Sequence, residues 1–306
     1  GGTVKLLGDT VSVKTGSTID VAGGGTALIG GAWQGGSSEY AATNTTVESG
    51  ATITADALTS GNGGQVVVWA NDTTKFAGSI SAKGGSVAGN GGSVETSGKK
   101  TLTITGGRVN TTAANGQTGR WLLDPADFTI GSGATAANYW NAADLSGALN
   151  GSNITITTGS SANTVTVGTG APTSTDTSSA GGSGDINVNS AVTWTSANTL
   201  TLSAYNNINL NAAITAANGG LILEAGTATA AATNATDGLI TPGGSINVGT
   251  FTLAGGTWRE VGSLSSFTAK DFRLSGGSFI RAKSGDGASA GTAYQIADVY
   301  GLQDRK

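Results

Sequence analysis

The chain has 306 residues, of which 52 are Gly and only 3 Pro, with 37% hydrophobic and 11% charged residues and a formal net charge of −4. Cys, Met and His are all absent, which excludes disulfides, thiol nucleophiles and thiolate or imidazole metal sites. A pI near 4.8 without Lys or Arg clusters lacks the basic footprint of a nucleic-acid binder, and no apolar run reaches the roughly 18 residues of a helical membrane span.

Counting along the sequence gives 46 Thr and 31 Ser, a composition that a disordered linker could share. The aliphatic residues nevertheless fall in alternating strands, and the net charge is too small to drive expansion, so a folded chain is expected. A solenoid of this length stays one elongated domain. We divide the rod into 1–130, a section 131–184 rich in insertions and loops but still on the rod, and 185–306.

In the first part a coil closes on a short strand, passes a Gly-rich turn and restarts at Gly-Gly. The segments are STIDVAGGGTALIGG (17–31), ATITADALTSGNGGQVVVWA (51–70), SISAKGGSVAGNGGSVETSG (79–98) and RVNTTAANGQTGRWLLD (108–124). Gly63, Gly91 and Gly119 recur every 28 residues, which sets the coil length there. Asn-Gly at 62–63, 90–91, 115–116 and 218–219 is expected to turn the corners with positive φ.

Residues 131–153 lose the alternation. Trp140, Leu145 and Leu149 approximate helical spacing, which predicts a short helix or lid packed on the rod and ended by Gly151. NITITTG and NTVTVGTG predict strands, and APTSTDTSSAGGSG (171–184) a surface loop.

The stretch 185–226 states the repeat most clearly. Ile186, Asn187, Val188 and Asn189 return as Ile208, Asn209, Leu210 and Asn211 after 22 residues, and a looser copy opens at Ile246, Asn247 and Val248. Alternation turns the aliphatics inward and the amides outward. Stacking coils about 4.8 Å apart would therefore place Asn187, Asn209 and Asn247 in one outward ladder and Asn189 and Asn211 in another. The fold class expected is all-β, a parallel β-helix. The tail GTAYQIADVYGLQDRK departs from the pattern and is expected to cap or connect.

Chemistry-bearing clusters are scarce. Asp124 and Asp127 beside Arg120 in RWLLDPADFTI form the best carboxylate pair, with a strand-breaking turn at Asp124-Pro125 as the plainer reading. Asp185 and Asp286 are isolated, and no calcium-binding repeat is present, so no cofactor or metal is expected. Thr-x-Thr at 52–54, 101–103 and 199–201 fits outward β positions better than an ice- or sugar-binding array. The tryptophans 33, 69, 121, 140, 194 and 258 lack a regular spacing and are expected to pack rather than to stack on sugars.

The runs GNGGQVVVWANDTTKFAGSISAKGG, GNGGSVETSG, GRWLLDPADFTI, LSGALNGSNITITT and GDINVNSAVTW resemble the shaft of the filamentous haemagglutinin family, exoproteins of two-partner secretion in Gram-negative bacteria. The resemblance spans most of 1–270. It implies a right-handed parallel β-helix, export through a dedicated outer-membrane transporter, and an extracellular or cell-surface adhesin whose signal peptide lies outside this chain.

Three functions follow as expectations. The first is adhesion to cells, glycans or matrix. The second is head-to-tail assembly of an extracellular filament, for which Gly1, Gly2, Thr3 and Val4 at one end and Tyr294 and Tyr300 at the other are the candidate surfaces. The weakest is a polysaccharide-active enzyme, which would have to rest on Asp124 and Asp127.

Overall fold

The computed structural model describes residues 1–159, 163–164, 175–176, 182–227 and 238–302. Most of NTVTVGTG and of the 171–184 loop lies outside the described residues, as do the last four residues of the tail.

The chain is a parallel β-helix whose coils contribute strands to three sides. Sheet A holds Thr3–Leu6, Thr26–Ile29, Gln65–Ala70, Ser93–Gly98, Arg120–Leu123, Asn153–Thr157, Thr199–Ala204, Ile214–Ala225, Ile246–Gly255 and Phe267–Leu274, in that order. Sheet B begins with Thr10–Val13, Asn44–Val47, Thr73–Phe76 and Thr101–Ile104, and sheet C stacks Thr18–Asp20, Thr52–Thr54, Ser79–Ser81 and Arg108–Asn110.

Register explains why the stack holds. On sheet A, Val4, Ala27, Val66, Val94, Trp121, Ile154, Leu200, Leu221, Phe251 and Phe272 lie one above another and point inward. Each coil thus buries its apolar face only because the next coil covers it, at about 25 cal/mol per Å² of apolar surface removed from water. Several polar inward residues are satisfied in place: Thr45 Oγ1 donates to the Trp69 carbonyl, Thr74 Oγ1 to the Ser97 carbonyl, both at 2.6 Å, and the Trp121 indole donates to Thr96 Oγ1 at 2.8 Å, whereas the indole nitrogens of Trp140 and Trp258 meet no hydrogen-bond partner among the described residues.

The Asn-Gly corners work differently from the expectation. Positive φ falls on the preceding glycines, Gly61 (115°) and Gly89 (124°), rather than on Asn62-Gly63 or Asn90-Gly91. Gly63 and Gly91 are needed for close approach, since a Cβ would meet the carbonyls of Ala82 at 2.2 Å and Thr111 at 1.7 Å. Asn62 and Asn90 act through their side chains: Asn62 Oδ1 accepts from the Asn90 amide (2.8 Å), and Asn90 Oδ1 from the Gln117 amide (2.9 Å). The last expected corner, Asn218-Gly219, lies within Ile214–Ala225.

Coil length also varies. The 28-residue step joins Asn62 to Asn90, but between Thr26–Ile29 and Gln65–Ala70 the coil carries the extra segment 30–43. In the later part Asn187 lies level with Asn209 and Asn209 Nδ2 donates to Asn187 Oδ1 (2.9 Å), while Asn211 Nδ2 donates to Asn189 Oδ1 (2.8 Å). Asn247 is a correction. Its partners are Thr215 and Thr268 on another side, and Thr241 stands above Asn209 instead. The step from Ile208 to Ile240 is 32 residues rather than 22, so the Ile-Asn-Val at 246 pairs with Ile214–Ala216 instead of with Ile208–Leu210. Asn209→Ala is expected to cost about 1 kcal/mol by removing one amide rung, measured as a shift in urea midpoint.

In the middle of the rod, strand order reverses. Sheet B runs Thr101–Ile104, Tyr139–Asn141, Phe128–Gly131, Ile186–Val188, so the chain places Phe128–Gly131 first and then returns to fill the level beneath it. The helix α1 (Ala142–Ala148) follows directly, with Leu145 and Leu149 buried in the core. It stands where sheet C would continue, beyond Arg108–Asn110 and beside Val192–Thr193, whose Thr193 amide donates to Ser146 Oγ at 3.0 Å. The expectation of a helix here matches the structure, although it ends at Ala148 rather than Gly151.

The tail closes the other end. Gln295–Ile296 pairs antiparallel with Ser278–Ser284, and α2 (Val299–Leu302) brings Tyr300 onto Phe267 and Phe272.

Candidate functional site

The six tryptophans are all buried, with Trp33 at 5% the most exposed, so none offers a sugar-stacking platform. Asp127 is engaged structurally: Oδ1 accepts from the Gly184 amide (2.8 Å) and from Ser183 Oγ (3.0 Å). Asp124 begins the turn after Arg120–Leu123, and its amide donates to Ser97 Oγ (3.1 Å). Asp185 Oδ1 accepts from the Asn207 amide at 3.0 Å, which fixes a coil corner. Among the described residues no group of three or more His, Cys, Asp or Glu is placed to hold a metal ion, and no helix is long and apolar enough to cross a membrane.

The two ends named for assembly differ. Gly1–Val4 lie on the first coil, where the Gly1 ammonium donates to the Gly23 carbonyl (2.8 Å) and Thr3–Leu6 pairs with Thr26–Ile29. Tyr294 and Tyr300 are used inside the cap: Tyr300 Oη donates to the Ala269 carbonyl and accepts from its amide, while Tyr294 Oη accepts from Arg259 at 3.3 Å. Tyr300 is a correction, since it packs on Phe267 and Phe272 instead of standing at an open strand edge, while Tyr294 stays half-buried beside Arg259.

The surface concavity with the most varied chemistry is a cleft of about 590 Å³ on sheet C at the foot of α1. Its floor is made by outward residues in fixed register, Thr52 level with Ser79 and Arg108, and Thr54 level with Ser81 and Asn110, while Ile53, Ile80 and Val109 point to the core. Asp144, Gly147 and Ala148 of α1 form the wall, because a helix is wider than the strand it replaces and overhangs the sheet. Lys83 reaches the rim and pairs with Asp56 at 3.5 Å, and Asp56 also accepts from Ser81 Oγ at 2.6 Å. Arg108 and Asp144 are exposed and form no ion pair among the described residues. The wall depends on a cap: Asn141 Oδ1 accepts from the Ala143 amide (2.9 Å) at the start of α1. Asn141→Ala is expected to lower the melting free energy by about 1 kcal/mol, read by thermal unfolding.

A second polar feature lies on the outer face of sheet A, under the segment 30–43. There Lys5, Leu28, Val67, Glu95 and Leu122 form one outward row, and Trp33, Trp69, Val67 and Leu122 pack into an apolar patch of their own. The segment is tied down by a Lys5–Glu39 ion pair at 2.6 Å and by the Gln34 amide donating to Glu95 Oε2 at 2.7 Å, with Gln34 at φ 49°. Arg120 lies over the Trp33 ring at 5.2 Å. Burial pushes Glu95 up to about 8, with the charge of Asp124 adding to the effect and the Gln34 amide opposing it. Glu95 Oε1 meets no hydrogen-bond partner among the described residues. Sequence reasoning missed both this patch and the cleft. The signal for the first was Glu95 standing where Val67 and Leu122 stand in neighbouring coils, and it needs the register to be read.

No protein-family model matches the chain, and a search of curated proteins returns no match.

Proposed function

We propose that this chain is an adhesive shaft segment of an exported extracellular protein of the filamentous haemagglutinin kind, passed outward by a two-partner-secretion transporter and displayed at the bacterial surface. The observation that carries the reading is the division of labour across the coils: the inward rows are apolar and stacked, while the outward rows of sheet C are polar, mostly hydroxyls with Asp20, Arg108 and Asn110, held in register and carrying a built cleft. A rod of this kind has a rigid scaffold to offer, and recognition falls to the places where the repeat is broken. The Ile-Asn-Val-Asn block of the resemblance supplies one such rung of the scaffold, with its aliphatics buried and its amides outward.

The cleft gives a direct test. A Cβ at Gly147 meets nothing within 4 Å, so Gly147→Gln would fill the cleft and, by replacing a helical Gly, stabilise α1 by roughly 0.5–1 kcal/mol. The labelled chain is expected to bind cell surfaces or matrix saturably. Gly147→Gln is expected to lose most of that binding with an unchanged or raised melting temperature. Full binding by this variant would remove the cleft from the proposal.

A further inference from the structure

The cleft also has a chemistry. Its floor carries Arg108 with its guanidinium exposed and unpaired by any described carboxylate, whereas the neighbouring cation Lys83 is already matched by Asp56. Around Arg108 the floor offers the hydroxyls of Thr52 and Ser79 at a rung spacing of about 4.8 Å. Asn110 spends its side-chain oxygen on the Thr112 amide (3.0 Å) and hydroxyl (2.8 Å), which leaves its amide nitrogen as a donor at the cleft. Asp144 on the helix wall accepts hydrogen bonds but repels a second carboxylate.

A ligand that fits this set needs one carboxylate for the planar fork of the guanidinium, hydroxyls that donate to Asp144, and hydroxyls that exchange with the threonine and serine floor. We propose that the cleft binds a carboxylated saccharide of the uronate class, with the sugar carboxylate on Arg108 and sugar hydroxyls on Asp144, Thr52 and Ser79. A volume of about 590 Å³ lies within the range of small-ligand sites. The chain's net charge is −4, so attraction of a polyanion by the whole molecule does not account for such binding, and the local arginine has to supply it. This inference rests on the adhesive reading above and narrows its ligand.

The test is calorimetric titration of the intact chain with tetragalacturonate and with the neutral cellotetraose. Tetragalacturonate is expected to bind on the order of tenfold more tightly, and Arg108→Gln is expected to remove that preference, as loss of a charge-assisted hydrogen-bonded pair does. Lys75→Gln, an exposed cation on sheet B, serves as the control and is expected to leave the preference intact. Equal affinity for the two sugars, no binding of either, or an unaltered preference in Arg108→Gln would overturn the inference. Cell attachment measured on the same variants separates the two levels: a chain that attaches to cells yet ignores tetragalacturonate refutes the uronate ligand alone, and a chain that attaches to nothing refutes the adhesive reading as well.

Discussion

Arg281→Ala is expected to destabilise the C-terminal coils by about 3–5 kcal/mol, because it strips the partner from a charge that is already out of water. Arg281 and Glu260 are only 5% and 4% exposed, and they face each other across the last two parallel strands of sheet B, Thr257–Val261 and Ser278–Ser284. The guanidinium is used on three sides. One terminal nitrogen bonds Glu260 Oε2, Nε donates to Asp298 Oδ2 at 2.7 Å, and the other terminal nitrogen donates to the Ser265 carbonyl at 2.6 Å. The Glu260 Oε1 atom accepts from the Ser265 amide, and Asp298 Oδ1 accepts from the amides of Tyr300 (3.1 Å) and Gly301 (3.2 Å). One side chain therefore joins a rung, the loop that follows it and α2.

Removing it leaves Glu260 buried without a counter-charge and releases Asp298, and with it the tyrosine that covers Phe267 and Phe272. A solenoid unfolds from its ends when an end is weakened, so the loss should be local. Hydrogen exchange read residue by residue is the measurement: amides of 257–302 should lose protection while those of 65–123 keep theirs. A loss below 1 kcal/mol would show that water reaches the pair and that the network is worth no more than a surface ion pair.

Glu95→Gln is expected to stabilise the chain at neutral pH by about 3 kcal/mol, the opposite of what an acid-to-amide change at an ion pair would do. Glu95 is raised from 4.5 to about 8 in the folded chain. Its folded form therefore holds the proton more tightly than the unfolded form, and the stability linked to that proton is fully present below about pH 4.5. It declines as pH rises, by about 1.4 kcal/mol per unit, and the decline ends near the folded value of about 8. Glutamine keeps the carbonyl that accepts from the Gln34 amide and never ionises. The two chains should match at pH 4 and diverge steadily up to pH 8, a comparison that denaturant titration at each pH makes directly. A constant difference across that range would falsify the assignment of the effect to ionisation. The same titration bears on segment 30–43, since an ionised Glu95 is the group beneath it most in need of water.

The alternation of Ile186, Val188, Ile208 and Leu210 with Asn187, Asn189, Asn209 and Asn211 could be read before any coordinates, because a period of two decides which residues face the core. The same holds for a short helix around Leu145 and Leu149, although Trp140, read with them, belongs to the strand Tyr139–Asn141, and for a tail that leaves the pattern. What failed were statements that need to know how many residues separate one level of a sheet from the next. Asn247 carries the right local pattern but sits on the wrong side, since the chain between Leu210 and Ile246 first adds Leu239–Pro242 to sheet B. Tyr300 looks like an end residue by position and proves to be a cap residue by contact.

The candidate site was not legible for the same reason. Thr52, Ser79 and Arg108 are dozens of residues apart and belong to three separate turns of the chain; only their shared register on sheet C makes them a floor, and only the substitution of α1 for a strand gives that floor a wall. Glu95 likewise reads as an ordinary outward charge until segment 30–43 covers it. The sequence by itself determined the repeating element, the inward and outward faces and the absence of sulfur or imidazole chemistry, all of which depend on side chains within a few residues of one another. Tertiary structure alone decided where the coil length departs from the 28- and 22-residue repeats, the reversed strand order, the cap and the cleft, because each depends on which distant segments are brought level across about 4.8 Å of stacked backbone.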